Sequence, residues 1–141
     1  MFFGEFEYRI DQKGRVPVPP RFRDELKTGV VLTPGMESCI IVYPASEWQK
    51  LAANLTSSTV TQSKLRRLYR AVFSTAFSVN LDGQGRIAVP PQLRQHAGIQ
   101  DKVVVAGANT YLEIWDKDQW EAEKSSSQDE AWQIIESYEK H

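Results

Sequence analysis

Residues 11–23 read Asp-Gln-Lys-Gly-Arg-Val-Pro-Val-Pro-Pro-Arg-Phe-Arg, and residues 82–94 read Asp-Gly-Gln-Gly-Arg-Ile-Ala-Val-Pro-Pro-Gln-Leu-Arg. At this offset of 71, seven of thirteen positions are identical: Asp11/Asp82, Gly14/Gly85, Arg15/Arg86, Val18/Val89, Pro19/Pro90, Pro20/Pro91 and Arg23/Arg94. Val16/Ile87 and Phe22/Leu93 are conservative. With small gaps the echo runs on, Val30-Val31-Leu32 matching Val103-Val104-Val105 and Tyr43 to Trp48 matching Trp115 to Trp120. The chain is therefore two copies of one unit, and such self-similarity decides the architecture before any single element does.

Each copy reads the same way locally. Phe6, Tyr8 and Ile10 alternate with Glu5, Glu7 and Arg9, and Phe77, Val79 and Leu81 alternate with Ser78 and Asn80, the period of a half-buried strand. Asp11 to Gly14 and Asp82 to Gly85 supply a turn-forming aspartate and a glycine able to take positive φ, so a strand returns from Arg15 and from Arg86. Pro17, Pro19 and Pro90 lack a ladder donor and keep that strand short or at an edge. Pro20 and Pro91 suit the first turn of short helices over 21–26 and 92–97, which Gly29 and Gly98 stop. Strands over 30–33 and 39–43, and over 103–106 and 111–115, then follow, each pair closed by a helix. Leu65, Leu68, Tyr69, Val72 and Phe73 form one apolar face of a helix between the copies, and the Ser/Thr-rich stretch 54–62 reads as a linker.

The divisions are repeat 1 over 5–48, linker and amphipathic helix over 49–75, repeat 2 over 76–120, and an acidic helical tail over 121–141. A unit of about 45 residues is too small to stabilise its own core without metal, disulfide or assembly. The copies are expected to interdigitate into one small pseudo-twofold barrel, mainly β with short helices, an α+β fold.

Composition bounds the function. The 141 residues are 41% hydrophobic, 25% charged and 11% aromatic, enough for a core and far from the signature of disorder. One cysteine, Cys39, and two histidines, His96 and His141, exclude a disulfide framework and zinc-ligand spacing, which suits a reducing cytosol. Residues 1–9 carry Glu5 and Glu7, so no export signal is readable. No apolar run approaches the roughly 20 residues of a membrane span, and a soluble protein is expected. Net charge is −1, but unevenly spread: residues 1–80 hold 11 Lys/Arg against 7 Asp/Glu, and residues 81–141 hold 6 against 11. Nothing resembles a catalytic constellation. There is no paired Cys/His, no nucleophile elbow and no P-loop, so neither enzyme activity, cofactor, metal nor small-molecule substrate is expected.

The opening Met-Phe-x-Gly-Glu, the two Asp-x-x-x-Arg motifs at Asp11–Arg15 and Asp82–Arg86, the paired Val-Pro neighbourhoods and the helix between copies resemble the MraZ family. These are bacterial transcriptional regulators related to the AbrB and SpoVT swapped-hairpin DNA-binding domains, and the resemblance covers nearly the whole chain. It implies two tandem AbrB/SpoVT-like units in one chain, a ring-shaped homo-oligomer, and binding to direct repeats in double-stranded DNA upstream of the division and cell wall gene cluster. Repression of that operon, its own gene included, and a cytoplasmic, nucleoid-associated location follow from the same resemblance. The second turn lacks the lysine that Lys13 supplies to the first, which sets the two copies apart in DNA contact.

Arg15 and Arg86, at hairpin edges, suit bidentate contact with phosphate or with guanine in the major groove. The plainer alternative is that Asp11 and Asp82 simply clamp them, and the two readings combine if each aspartate, with Gly14 or Gly85 shaping the turn, orients its arginine for DNA. Arg9, Lys13, Arg21 and Arg23 gather around the first turn and extend the DNA-contact set, against a reading in which they balance Glu5, Glu7, Asp24 and Glu25. Lys64, Arg66, Arg67 and Arg70 read as the wet face of an amphipathic helix, or as partners of an acidic neighbour in an oligomer. Trp48 and Trp120 pack helices; Phe2, Phe3, Trp132 and Tyr138 are candidate subunit contacts. His96 reads as a surface or capping residue and Cys39 as a small buried hydrophobe. The competing function is an antitoxin-like AbrB module that binds a protein partner. Antitoxins of that kind have a disordered extension where this chain has its second copy.

Overall fold

The computed structural model describes residues 1–57 and 59–139. Position 58 of the linker, and 140–141 of the tail with His141, lie outside them. The elements are β1 (Glu5–Arg9), β2 (Arg15–Pro17), a 3-10 turn (Pro20–Phe22), α1 (Arg23–Leu26), β3 (Val30–Pro34), β4 (Ile40–Pro44) and α2 (Ala45–Thr56). Then come α3 (Gln62–Phe73), β5 (Phe77–Val79), β6 (Arg86–Ala88), α4 (Pro91–Ala97), β7 (Lys102–Gly107), β8 (Leu112–Asp116) and α5 (Lys117–Glu139). The helix after β4 runs to Thr56, further into the Ser/Thr-rich stretch than its composition suggests.

The strands form an antiparallel sheet in the order β1-β7-β8-β4-β3-β5 and a separate ribbon, β2-β6. Exchanging equivalent strands of the two copies leaves that order unchanged. The pseudo-twofold axis passes between β4 and β8 and through the ribbon. The first strand of each copy pairs with the third strand of the other, β1 with β7 and β5 with β3, so neither copy has a sheet of its own.

The expected closed barrel is not formed. Among the described residues β1 and β5 are open edges, and β2 and β6 pair only with each other. The prolines give the reason: Pro17 ends β2, Pro19 and Pro90 follow the ribbon strands, and none has an N–H to extend a ladder toward the sheet edges.

The core lies between one sheet face, the ribbon and the short helices. Val30, Leu32, Ile40, Val42, Val103, Val105, Leu112 and Ile114 meet Val16, Val18, Ile87 and Val89, with Phe22, Leu26, Leu93 and Ala97 closing the ends. Phe2 belongs here as well: it is buried, edge-on to Phe22 at 5.1 Å, and bridges to Asn109. It is therefore not a subunit contact, because its backbone pairing draws the ring inward; Phe3, next along, stays exposed. On the other sheet face Trp48 of α2 packs on Tyr43 and on Phe73 of α3, and Trp120 of α5 packs on Trp115. No helix among the described residues is long and apolar enough to cross a membrane.

Candidate nucleic-acid interface

The ribbon brings the two motifs together. Its register is Arg15↔Ala88, Val16↔Ile87 and Pro17↔Arg86. Side chains alternate across a strand, so Val16 and Ile87 enter the core while Arg15, Pro17, Arg86 and Ala88 share the outer face. The arginines sit diagonally about the pseudo-twofold axis.

Each arginine is held by its own aspartate. Asp11 Oδ1 accepts from the backbone N–H of Lys13 (3.0 Å) and Arg15 (2.8 Å), and Oδ2 accepts from Arg15 Nε at 2.6 Å. Asp82 repeats this with the N–H of Gln84 and Arg86, both 2.9 Å, and Arg86 Nε at 2.8 Å. Backbone bonds from Gly14 to Asp11 and from Gly85 to Asp82 close the turns, with φ of +79° and +73° at the glycines. The Arg15 and Arg86 N–H groups, and then their guanidinium groups, hold both carboxyls below the usual aspartate range. The side chains remain 30% and 24% exposed, so each guanidinium has its Nε committed and an outer edge facing solvent. Arg86 Nη1 also approaches Asp11 Oδ2 across the axis, at 3.8 Å.

The turns are coupled across the copies. Val18 N–H donates to Gly85 O at 2.9 Å and Val89 N–H to Gly14 O at 2.8 Å. Arg23 lies against Gly85 and gives its Nε–H to Val18 O at 3.0 Å, while Arg94 lies against Gly14. Arg94 was not among the site candidates. Its identity with Arg23 at the offset of 71 was the available signal, and the half-buried pair supports the turns from behind.

The remaining candidates divide between the turns: Arg21 follows β2, whose exit joins Val18 to Gly85 of the second turn, and Arg9 leads into the first. Lys13 is exposed at the tip of the first turn; Arg21 is exposed, with its guanidinium carbon 5.4 Å from the Phe6 ring centroid; Arg9 is exposed at the end of β1 and bonds Asp101 at 2.7 Å. Their counterparts in the second copy are Asn80, Gln84 and Gln92, so the first turn carries Arg9 and Lys13 where the second has neutral residues, while Arg23 lies against the second turn and Arg94 against the first. Lys64, Arg66, Arg67 and Arg70 are exposed on α3, away from the ribbon. His96, exposed on α4, brings Nε2 within 3.1 Å of Gly35 O and 3.2 Å of Glu37 O, tying α4 to the β3–β4 turn. Cys39 is buried, and burial with nearby Glu113 pushes its thiol up to about 12, the reverse of a reactive cysteine. Among the described residues no cluster of His, Cys, Asp or Glu is arranged to hold a metal ion.

Two successive segments, 1–71 and 72–138, each match the sequence model of a family described as "MraZ protein, putative antitoxin-like". The chain belongs to the MraZ family. The break between the segments falls at the offset of the internal duplication. Two relatives from strains of Dehalococcoides mccartyi, each named "Transcriptional regulator MraZ", are 58% identical over the full length of both chains and 56% identical over 99% of each. A relative of the same name from Herpetosiphon aurantiacus is 42% identical over 93% of this chain and 92% of its own. This MraZ-family chain thus matches regulators of its own length from end to end.

Proposed function

We propose that this chain is a sequence-specific DNA-binding transcriptional regulator that represses its own operon in the division and cell wall gene cluster. In this reading 5–48 and 76–120 are AbrB/SpoVT-like swapped-hairpin units, 49–75 joins them, and 121–141 is an acidic tail. The observation that carries it is the outer face of the β2-β6 ribbon, where two aspartate-oriented arginines flank the pseudo-twofold axis. A two-stranded ribbon fits the major groove, and a guanidinium with a free edge suits guanine or phosphate there. Lys13 and Arg9 add phosphate contacts at the first turn and Arg21 on the segment beside the second; Arg23 contributes by holding the Gly85 turn. The names of the relatives agree with regulation of transcription.

With a net charge of −1, a single copy binds DNA weakly, so affinity comes from a ring-shaped homo-oligomer engaging repeated upstream sites together. The test is fluorescence-anisotropy binding to DNA upstream of the gene, against a scrambled duplex, over a salt series. Preference for upstream DNA that weakens steeply with salt is expected. No preference at any salt sinks this reading and favours the antitoxin-like alternative, a protein partner, which the family description also admits.

A further inference from the structure

Two exposed surfaces at opposite ends of the molecule match each other. One is the far half of α5. Its anchors, Trp120 and Lys124 on Glu5 and Lys117 on Glu7, all lie in its first eight residues. The helix then continues about 22 Å beyond Lys124 at the α-helical rise. Trp132, Ile135 and Tyr138 are 70%, 46% and 84% exposed there and share one broad face with Ile134. Residues 125–139 contain four acidic residues and no Lys or Arg.

The other surface is a groove of about 270 Å³ between α2, α3 and the sheet, lined almost wholly by apolar atoms that include Trp48, Leu51, Ala71 and Val72. Lys64 and Arg67 stand two turns and one turn before Ala71 on the same side of α3. The helix contains four cations and no acid, and none of the four has an ion-pair partner among the described residues. A continuous α5 cannot fold back into its own groove. Because β4 and β8 are antiparallel neighbours, the helices that follow them leave from opposite ends of the sheet.

We propose that the apolar strip of α5 seats in the α2–α3 groove of a second copy of this chain, its acids against Lys64 and Arg67. The contact is head to tail, and such contacts repeat until they close a ring or run on as a filament. This rests on the self-assembly part of the function proposed above and supplies the interface.

The test is molar mass by light scattering, without DNA, on full-length protein. Trp132→Lys with Ile135→Lys removes the plug; Ala71→Glu blocks the socket; all three positions are exposed, and a thermal melt checks folding. Each variant is expected to be monomeric alone, and their mixture to give a dimer, since one keeps a socket and the other a plug. Lys64→Glu with Arg67→Glu should also dissociate the assembly, and Asp129→Lys with Glu130→Lys in the same chain should restore it. Variants that keep the wild-type mass, or that fail to pair when mixed, overturn this interface and leave the ring reading standing. A monomeric wild type overturns both, while DNA preference is still read separately by anisotropy.

Discussion

Arg23 and Gly85 come from different copies of the repeat, yet the Arg23 guanidinium occupies the space a side chain on Gly85 would need. Arg94 stands likewise against Gly14, its Cζ 2.9 Å from where a Cβ would lie. Each motif turn is thus shaped by the other copy, and the turns place Arg15 and Arg86 on the ribbon.

Gly85→Ala should therefore destabilise the fold. The backbone there has φ of +73°, and a residue with a Cβ costs about 1 to 2 kcal/mol in that region, before Arg23 is displaced. Gly83, two residues earlier, has open space around a Cβ, and Gly83→Ala should stay within about 0.5 kcal/mol of wild type. Urea titrations of the two variants make the comparison; equal midpoints would show that the Arg23 contact places no demand on the turn.

Acid should loosen the turns before the core. Folding lowers the pKa of Asp11 and Asp82, through the N–H groups of Arg15 and Arg86 first. The stability they contribute is fully present above the unfolded aspartate value, near about 4, and is lost as pH falls through the folded value below it. Glu113 acts in the opposite sense. Burial raises its pKa, so its charged form opposes folding at neutral pH and protonation relieves that as pH falls. Asp11→Asn with Asp82→Asn should lower the melting temperature at pH 7 and flatten its acid dependence below about pH 4. Glu113→Gln should raise the melting temperature at pH 7 and lose the advantage near pH 4 to 5, roughly where a free glutamate titrates.

The repeat, the strand–turn–strand motif and the Gly98 cap were legible in the sequence because local chemistry fixes them, whereas α1 ends at Leu26 with Lys27 as its cap, ahead of Gly29. An aspartate that accepts two backbone N–H groups, a glycine at positive φ and a proline without a donor act within five residues of themselves. The exchange of β1 and β5 between copies was legible only as a need, since each copy is too small to stand alone; which strands cross is decided by tertiary pairing. The open sheet was not legible: alternation marks a strand's faces and leaves its neighbours unspecified. Phe2 looked like a terminal aromatic free for other uses, and only pairing with Asn109 turns it inward. Arg9, Lys13, Arg15 and Arg86 were visible as cations, but the supporting place of Arg23 follows from the second copy lying beside it.

Because β1 pairs with β7 and β5 with β3, the two copies should unfold together. Ile87, 1% exposed on the inner face of the ribbon, touches the shared core. Ile87→Ala should cost about 2 to 5 kcal/mol and shift a single transition seen equally by far-ultraviolet circular dichroism and by tryptophan fluorescence. Two separated transitions would mean that the copies fold as independent units.

Arg15→Ala with Arg86→Ala should abolish preference for upstream DNA while leaving circular dichroism and oligomer mass unchanged, since both arginines project from the ribbon's outer face. Unfolding or dissociation of that variant would assign them to clamping alone. The difference between the copies yields a sharper expectation. Arg9 and Lys13 stand where the second copy has Asn80 and Gln84, so phosphate contact from the turns themselves should be concentrated at the first. Each lost phosphate contact lowers the slope of log affinity against log salt by about 1, multiplied by the number of engaged subunits in an assembly. Lys13→Gln should therefore flatten the slope and weaken upstream and scrambled DNA alike, leaving their ratio intact. Gln84→Lys, at the second turn, should steepen the slope if that turn also lies on the backbone. An unchanged slope in Gln84→Lys would place the second turn clear of the phosphates, with the first turn alone anchoring each copy.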